Sequence, residues 1–225
     1  VLNQINFHVN RGEIFGILGP NGSGKTTLFN LILGILPIDS GKITINGEII
    51  NSLPIHVRCK NYKISYVPQN SACLLGLKVE ENLEAISEIK IKDKIKRKDI
   101  IQELLVRFGL DNIKHTQARS LSGGERRRLS IALALLTKPS ILLLDEPFSA
   151  LDPLSVETIR KIISDLQQQS GISSIISDHN ISSTLMSVDR AILISNSLVI
   201  AEGRPKELIN NKIAKQLYFG SDLKI

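Results

Sequence analysis

Short apolar runs alternate with longer amphipathic stretches along the chain, a pattern typical of α/β proteins. Five runs have strand length and are rich in isoleucine and leucine, which predicts buried and mostly parallel strands. The stretches between them are long enough for helices. The predicted strands are residues 13–18, 64–67, 141–144, 174–177 and 191–194, and the predicted helices are residues 27–36, 54–60, 100–108, 123–137, 153–169 and 181–187.

Three turn signals add antiparallel pairs to this picture. Residues 1–18 alternate around Asn10-Arg11-Gly12, which predicts two strands joined by a turn. Asn46-Gly47 separates two short extended runs, and Asn-Gly is a strong hairpin signal. Residues 195–197 separate the predicted strand 191–194 from a further run at 198–201. We therefore expect an antiparallel β part near the N terminus beside a mostly parallel core sheet flanked by helices.

One glycine-rich stretch has the residues and the neighbours of a phosphate-binding loop. It matches G-x-x-x-x-G-K-[ST], follows a predicted strand and precedes a predicted helix. Glycines let backbone N–H groups close around an anion, and the helix N terminus adds its positive end. We expect Lys25 to reach the β- and γ-phosphates of ATP and Thr26 to hold Mg²⁺. The loop consists of Gly19, Pro20, Asn21, Gly22, Ser23, Gly24, Lys25, Thr26 and Thr27.

A buried strand followed by two carboxylates supplies the acidic residues that a phosphate-binding loop needs for Mg²⁺ and for catalysis. Strand 141–144 is followed by Asp145, which is placed to reach Mg²⁺ directly or through water, and by Glu146. Because Pro147 restricts the residue before it, we expect Glu146 to be extended and to point into the cleft, where it could polarise an attacking water. Alone, the pair could be ordinary surface carboxylates. Beside a phosphate loop, we interpret it as catalytic.

The sequence Ser122-Gly123-Gly124-Glu125 predicts both a helix cap and a second anion site. As local structure it is a capping box, with Ser122 as N-cap and Glu125 reaching back. The box does not explain two glycines in a first helical turn, where each costs up to about 1 kcal/mol relative to alanine. A serine hydroxyl, open amides and a helix N terminus together bind anions. Because one ATP cannot readily occupy two separate sites in a monomer, we expect it to bridge two copies.

The composition is that of an ordinary folded protein with a basic charge. A length of 225 residues suits one α/β domain, and 42% apolar residues argue against disorder. The net charge of +6 would attract acidic partners or an anionic membrane surface.

Cys59 and Cys73 form no metal-ligand pattern and fit a reducing cytosol. No apolar run approaches the roughly 20 residues that cross a bilayer. The lysine-rich run 90–98 lacks interleaved aromatics and is interpreted as a solvated face.

The motifs, in their order along the chain, resemble those of ABC-type ATPases. Residues 121–125 (Leu-Ser-Gly-Gly-Glu) are similar to the family's signature, and Gln69 resembles its Q-loop. Residues 149–152 (Ser-Ala-Leu-Asp) resemble the D-loop, and His179 resembles the switch histidine. The resemblance covers nearly the whole chain and implies an α/β P-loop NTPase fold. It also implies a single domain of residues 1–225, with a core of about 1–70 and 125–225 and a helical subdomain at about 71–124.

This resemblance implies a mechanism as well as a fold. In the family's mechanism, two copies dimerise head to tail on ATP, so that the phosphate loop of one faces Ser122, Gly123, Gly124 and Glu125 of the other. Asp152 would belong to the dimer contact. Glu146 would be the general base, His179 would contact the γ-phosphate, and Gln69 would hold Mg²⁺ or the attacking water. Two transmembrane permease chains would complete the transporter. No contact with nucleic acid or with the transported substrate is expected.

A closer resemblance is to the cytoplasmic ATPases of lipopolysaccharide exporters in Gram-negative bacteria. It implies a place on the cytoplasmic face of the inner membrane and a role in extracting lipopolysaccharide. The segments that carry it are residues 123–128 (Gly-Gly-Glu-Arg-Arg-Arg), 145–148 (Asp-Glu-Pro-Phe), 152–153 (Asp-Pro), 177–180 (Ser-Asp-His-Asn), 52–58 and 218–223.

Two departures from that pattern concern the partners and the nucleotide. Leu74-Leu75-Gly76 stands where that family tends to carry an aromatic and basic residues facing the permease, so we expect a different coupling surface. Residue 1 is Val rather than Met, and we expect the aromatic that stacks on adenine to lie upstream of it.

Three alternative functions remain open. The first is the ATPase of a branched-chain amino-acid importer, which shares the compact layout. The second is a soluble ABC protein acting on nucleic acid or ribosomes. Such proteins usually carry two ATPase units in one chain or a long coiled-coil insertion. The stretch between Gln69 and Ser122 is too short for such an insertion. The third is a non-hydrolysing regulatory module, which is disfavoured because Lys25, Asp145, Glu146 and His179 are all present.

Overall fold

The computed structural model describes residues 2–70 and 72–216, and their centre is a six-stranded sheet. The strands are β1 (Ile14–Leu18), β2 (Thr44–Ile45), β3 (Glu48–Ile49), β4 (Ile64–Val67), β5 (Ile141–Asp145), β6 (Ser173–Asp178), β7 (Arg190–Ser195) and β8 (Leu198–Gly203). The large sheet has the order β4–β5–β6–β1–β7–β8, in which the first five strands are parallel and β8 is antiparallel to β7. Strands β2 and β3 form a separate antiparallel hairpin.

Helices connect the strands and lie on the sheet. They are α1 (Lys25–Leu33), α2 (Ile55–Asn61), α3 (Val79–Lys90), α4 (Lys94–Arg107), α5 (Gly123–Leu135), α6 (Pro153–Ser170), α7 (Ile181–Leu185), α8 (Pro205–Asn210) and α9 (Lys212–Ala214). Local sequence explains several of their ends. Asp93 and Asp152 accept N-cap hydrogen bonds at α4 and α6, and Gly171 ends α6 with a left-handed φ of +62°. Within the described residues, no helix is both long and apolar enough to cross a membrane.

Side chains alternate between the two faces of the sheet and form a core on each. In β1, Ile14 and Leu18 face one apolar cluster, whereas Phe15 and Ile17 face the other. The first cluster includes the buried sides of α3, α4, α5 and α6, and the second includes that of α1. Fully burying one such side chain contributes about 1.5–3 kcal/mol. Packing on both faces therefore fixes where the strand ends lie.

Arg58 fastens the C-terminal end of α1. Its side chain is buried and donates hydrogen bonds to four backbone carbonyls, those of Leu31, Ile32, Asn51 and Leu53. The last carbonyls of a helix have no intrahelical partner, and the guanidinium supplies two of them with donors. Helix α1 is thereby held at the end that lies away from the glycine-rich loop.

The predicted strands and helices are present with shifted boundaries, apart from one error at the N terminus. Residues 2–12 do not form the predicted strand. Their alternation is nevertheless real, since Ile5, Phe7 and Val9 pack against the second cluster. Asn3 N–H donates to Ser197 O at 2.8 Å, but a strand needs a continuous ladder with a neighbour. The predicted subdomain at 71–124 stays a prediction, and residues 218–223 lie outside the described residues.

Candidate nucleotide-binding site

The loop between β1 and α1 presents an uncapped helix N terminus at the carboxyl end of the sheet. Gly24 occupies the N-cap position with a φ of +100°, and no side chain of the described residues caps the helix. The first amides of a helix have no intrahelical acceptor, and this end carries a partial positive charge. Helices α5 and α6, by contrast, are capped by Ser122 and Asp152. The start of α1 therefore keeps its donors for an external anion.

Lys25 lies against its own loop. Its side chain is only 5% exposed, and Nζ donates to Gly19 O at 2.9 Å and to Pro20 O at 3.0 Å. Burial lowers the pKa of Lys25, while the carboxylates of Glu146, Asp178 and Asp145 act in the opposite direction. These carboxylates favour the charged ammonium, which is the form that pairs with phosphate.

Asp145, at the end of β5, accepts hydrogen bonds from three neighbouring elements. Oδ2 lies 3.1 Å from Thr26 Oγ1 of α1 and accepts a 3.0 Å hydrogen bond from the Tyr66 hydroxyl of β4. Oδ1 accepts a hydrogen bond from Ser177 Oγ of β6. Burial and the nearby carboxylate raise the pKa of Tyr66. The structure thus joins Thr26 and Asp145, which the sequence predicted to share a metal.

Tyr66 and Ser177 belong to the site but were not predicted. Both are polar residues within apolar strands, and both strands lie beside β5. Because a buried polar group needs a hydrogen-bond partner, each pointed to a polar neighbour. The sequence did not reveal which strand would supply it.

Glu146, Gln69 and His179 meet at one carboxylate oxygen. Gln69 Nε2 donates to Glu146 Oε2 at 2.7 Å, and His179 Nδ1 lies 3.2 Å from the same oxygen. The three residues follow the carboxyl ends of β4, β5 and β6, which are parallel neighbours. Open α/β sheets bind ligands at this edge. The structure therefore brings these three side chains together just beyond the strand ends.

The prediction that Glu146 has an extended backbone is wrong. Its φ is +46°, in the left-handed region, rather than extended as the following proline favours. Tertiary contacts override the local preference. Glu146 N–H donates to Ser177 O at 2.8 Å, and Glu146 O accepts from Ser149 N–H at 3.2 Å and from Arg127 Nη2 at 3.2 Å.

Asp178 is a buried carboxyl that the sequence analysis did not assign. Oδ1 accepts a 2.8 Å hydrogen bond from Asn180 N–H, whereas Oδ2 is buried and has no partner among the described residues. Burial raises the pKa of Asp178, and the nearby Glu146 carboxylate acts in the same direction. Together with Asp145 and Glu146, it gives this edge of the sheet three buried acidic residues.

The predicted capping box at α5 is confirmed. Ser122 N–H and Oγ each lie 2.8 Å from Glu125 Oε2, and Glu125 N–H donates to Ser122 Oγ at 3.3 Å. The two hydrogen bonds from Ser122 to the Glu125 carboxylate lower the pKa of Glu125. Residues 122–125 make no hydrogen bond to residues 19–27. The structure therefore does not bring the two anion sites into contact within one chain.

The two glycines of this segment have neighbours in their own chain. A Cβ on Gly124 would lie 2.3 Å from Ser155 Oγ and 2.7 Å from Ser155 Cβ, which is too close. A Cβ on Gly123 would lie 3.1 Å from Leu151 Cδ2. Close packing of α5 against the start of α6 therefore accounts for Gly124 without an approaching ligand.

The predicted D-loop lies beside the signature segment. Asp152 Oδ2 accepts a hydrogen bond from the Ser155 hydroxyl, and Oδ1 accepts a 2.9 Å hydrogen bond from Ser155 N–H at the start of α6. These two bonds lower the pKa of Asp152. A crevice of about 340 Å³ separates this loop from the Gln69 segment. Its lining includes Gln69, Leu75, Gly123, Ala150 and Leu151.

Comparisons with known proteins agree with this geometry. The family model described as "ABC transporter" matches residues 2–149. The chain is 41% identical over 228 aligned residues to the lipopolysaccharide export system ATP-binding protein LptB of Escherichia coli, covering 100% of this chain and 93% of that protein. It also resembles the ADP conformation of MJ1267, an ATP-binding cassette of an ABC transporter, with a TM-score of 0.84, 27% identity and coverage of 98% and 92%. A dimeric post-hydrolysis state of the cassette MJ0796 with ADP and Pi gives a TM-score of 0.80, 28% identity and coverage of 91% and 90%.

Proposed function

The chain belongs to the family of ABC transporter ATP-binding subunits, whose ATP hydrolysis is coupled to transport, and we propose that it powers the extraction of lipopolysaccharide from the inner membrane. The observation that supports this substrate is the 41% identity to LptB along the whole chain. The transported molecule itself is not expected to contact this subunit.

We assign the phosphates of ATP to the start of α1. The uncapped amides of Gly24, Lys25, Thr26 and Thr27 would donate to the β- and γ-phosphates, and Lys25 Nζ would exchange its bonds to Gly19 O and Pro20 O for bonds to phosphate. Gly19, Pro20, Asn21, Gly22 and Ser23 would complete the loop around them.

Three residues fit a Mg²⁺ site beside these phosphates. Thr26 Oγ1 and Asp145 Oδ2 lie 3.1 Å apart, and the Gln69 amide nitrogen is bonded to Glu146, which leaves its oxygen as the acceptor. Hydroxyl, carboxylate and amide oxygens are the ligands that Mg²⁺ prefers. When bound, the ion neutralises charge that develops on the phosphates during transfer.

Glu146 is the proposed general base for water attack on the γ-phosphate. Its carboxylate lies at the end of β5, and Gln69 and His179 fix one of its oxygens. The other oxygen is the acceptor for the attacking water. His179 would contact the γ-phosphate and orient that water. Positioning and charge stabilisation dominate phosphoryl transfer, and these residues supply both.

A head-to-tail homodimer on ATP is the proposed hydrolytic unit. Ser122, Gly123, Gly124 and Glu125 stand apart from the phosphate loop of their own chain, so a second copy is needed to place them on the nucleotide. Asp152 would lie in the dimer contact. The structure of the MJ0796 cassette, which is dimeric and bound to ADP and Pi, supports dimerisation in a related fold.

Two transmembrane permease chains are the proposed partners, which would place the subunit on the cytoplasmic face of the inner membrane. Leu74 and Leu75 are 51% and 50% exposed, and Leu75 lines the crevice beside Gln69. This apolar surface, in place of aromatic and basic residues, would adjoin the permease. No direct contact with nucleic acid is proposed.

Affinity capture from detergent-solubilised membranes tests this proposal. The full-length protein should recover a pair of lipopolysaccharide-export permeases, and a Leu74→Asp/Leu75→Asp variant should recover less of them. A Leu154→Asp variant, altered at a leucine of α6 that is 78% exposed, is the control. Amino-acid permeases would overturn the substrate and keep the ATPase. Ribosomes or nucleic acid without membrane proteins would overturn the transporter role.

A further inference from the structure

Arg127 connects α5 to both loops that hold the proposed catalytic side chains. Its side chain is only 7% exposed. Nη1 donates to Pro68 O at 2.9 Å, while Nη2 donates to Gln69 O at 2.9 Å and to Glu146 O at 3.2 Å. All three acceptors are backbone carbonyls at the ends of β4 and β5. One guanidinium therefore fixes the main chain of two neighbouring strand ends relative to each other.

Glu146 needs such support because its backbone is unusual. A left-handed φ of +46° costs a non-glycine residue energy, and the following proline adds restriction. Such conformations persist where the surroundings over-determine them. Here the carbonyl of Glu146 is held by Ser149 N–H and by Arg127, and its N–H by Ser177 O. The direction of the Glu146 side chain follows from this backbone conformation.

We propose that Arg127 is a positioning residue for ATP hydrolysis. It acts by holding the left-handed backbone of Glu146 and the main chain of Gln69 in a fixed position relative to each other. It does not touch the nucleotide in this role. With Arg127 in place, the Glu146 carboxylate and the Gln69 amide meet at 2.7 Å. The inference rests on the assignment of Glu146 as general base, and it does not depend on which molecule is transported.

A purely structural role is the competing explanation, and Arg128 provides a matched control for it. Arg128 is the next residue on α5, and its Nη1 also donates to two backbone carbonyls, those of Phe108 at 3.0 Å and Gly109 at 3.2 Å. These carbonyls follow α4 and lie in neither of the two catalytic loops. Loss of either arginine removes the same kind of interaction from the same helix, but only Arg127 is joined to Glu146.

The test is steady-state ATP hydrolysis by the captured complex with its membrane partners, together with thermal unfolding of each variant. Arg127→Lys keeps the charge but cannot present a guanidinium fork to three carbonyls. We expect Arg127→Lys and Arg127→Gln to lower kcat about tenfold or more with KM for ATP within about twofold. Arg128→Gln removes the donor of two backbone carbonyls and should lower the unfolding temperature about as much as the Arg127 variants do, but it should leave kcat unchanged.

Single-turnover cleavage in a Glu146→Gln background provides a second readout. If Arg127 acts mainly by placing the Glu146 carboxylate, adding Arg127→Lys to that variant should slow cleavage much less than Arg127→Lys alone slows the wild-type protein, and an equal further loss would overturn the inference. Normal kcat in the Arg127 variants, or an equal loss of kcat in Arg128→Gln, would overturn the inference and leave the proposed function standing. Capture of unrelated permeases would overturn the proposed substrate and leave this result standing.

Discussion

Gln69 Nε2 donates to Glu146 Oε2 at 2.7 Å, so two residues that lie just beyond β4 and β5 share a hydrogen bond at the proposed reaction centre. The bond uses only one oxygen of the carboxylate and does not require its negative charge. A glutamine at position 146 could accept the same bond through its amide oxygen. Geometry and basicity at this position can therefore be separated by one substitution.

We expect Glu146→Gln to retain ATP binding and to lower the hydrolysis rate at least about 100-fold, since an amide cannot accept the proton of the attacking water. The uncleaved nucleotide should then hold two copies together. Phosphate release and gel filtration with ATP measure the two effects. Turnover at the normal rate would show that Glu146 is not the base.

We expect Lys25→Ala to weaken ATP binding itself. A charge-assisted hydrogen bond is worth about 1.5–3 kcal/mol, so the dissociation constant should rise about tenfold or more. Equilibrium binding of a fluorescent ATP analogue measures the change. Lys161→Ala, which alters an exposed lysine on α6, is the control and should bind normally. Equal affinities of the two variants would contradict the assignment.

Asp178 predicts a specific dependence of stability on pH in the nucleotide-free protein. Because burial raises its pKa in the folded state, the folded state holds this proton more tightly than the unfolded state. Its contribution to stability is therefore complete below the unfolded pKa and is lost as the pH rises through the folded value. Asp178→Asn should raise the unfolding temperature at neutral pH, and the gain should shrink on acidification. Thermal unfolding across pH 4–8 on both proteins tests this expectation, since a gain that grew towards low pH would contradict it.

The packing of Gly124 against Ser155 predicts a pair of compensating substitutions. Gly124→Ala places a Cβ against Ser155 Oγ and Cβ, and such overpacking costs about 1–3 kcal/mol. Ser155→Gly removes both atoms, so the double variant should recover much of the lost stability. Urea unfolding of the four proteins tests this coupling. Additive losses in the double variant would show that Ser155 is not the obstacle.

Most of the site could be predicted because its residues lie at sequence positions that the strands themselves define. Parallel strands end at one edge, so a residue just beyond an apolar run belongs to that edge. Asp145, Glu146 and His179 each follow such a run, whereas Lys25 was located by the motif of its loop. The conformation of Glu146, directly after β5, shows the limit of an argument from sequence position. Pro147 favours an extended neighbour, yet contacts from β6 and α5 hold Glu146 in the left-handed region.

What could not be predicted depends on contacts between segments far apart in sequence. Arg127 is 58 residues from Gln69, to which it donates. Nothing in the local pattern distinguishes it from Arg126 and Arg128. The N-terminal alternation corresponds to the partly buried side chains of Ile5, Phe7 and Val9, but side-chain periodicity does not reveal whether a neighbouring main chain completes a ladder.

Arg58 has a consequence for how this sequence can change over generations. Exchange between lysine and arginine at an exposed position such as Lys161 is expected to be nearly neutral. At position 58, a lysine would keep the charge but could not span the four carbonyls that converge there. Selection at this position therefore acts on the shape of the cation, and a residue far from the reacting atoms becomes one that the lineage cannot freely replace.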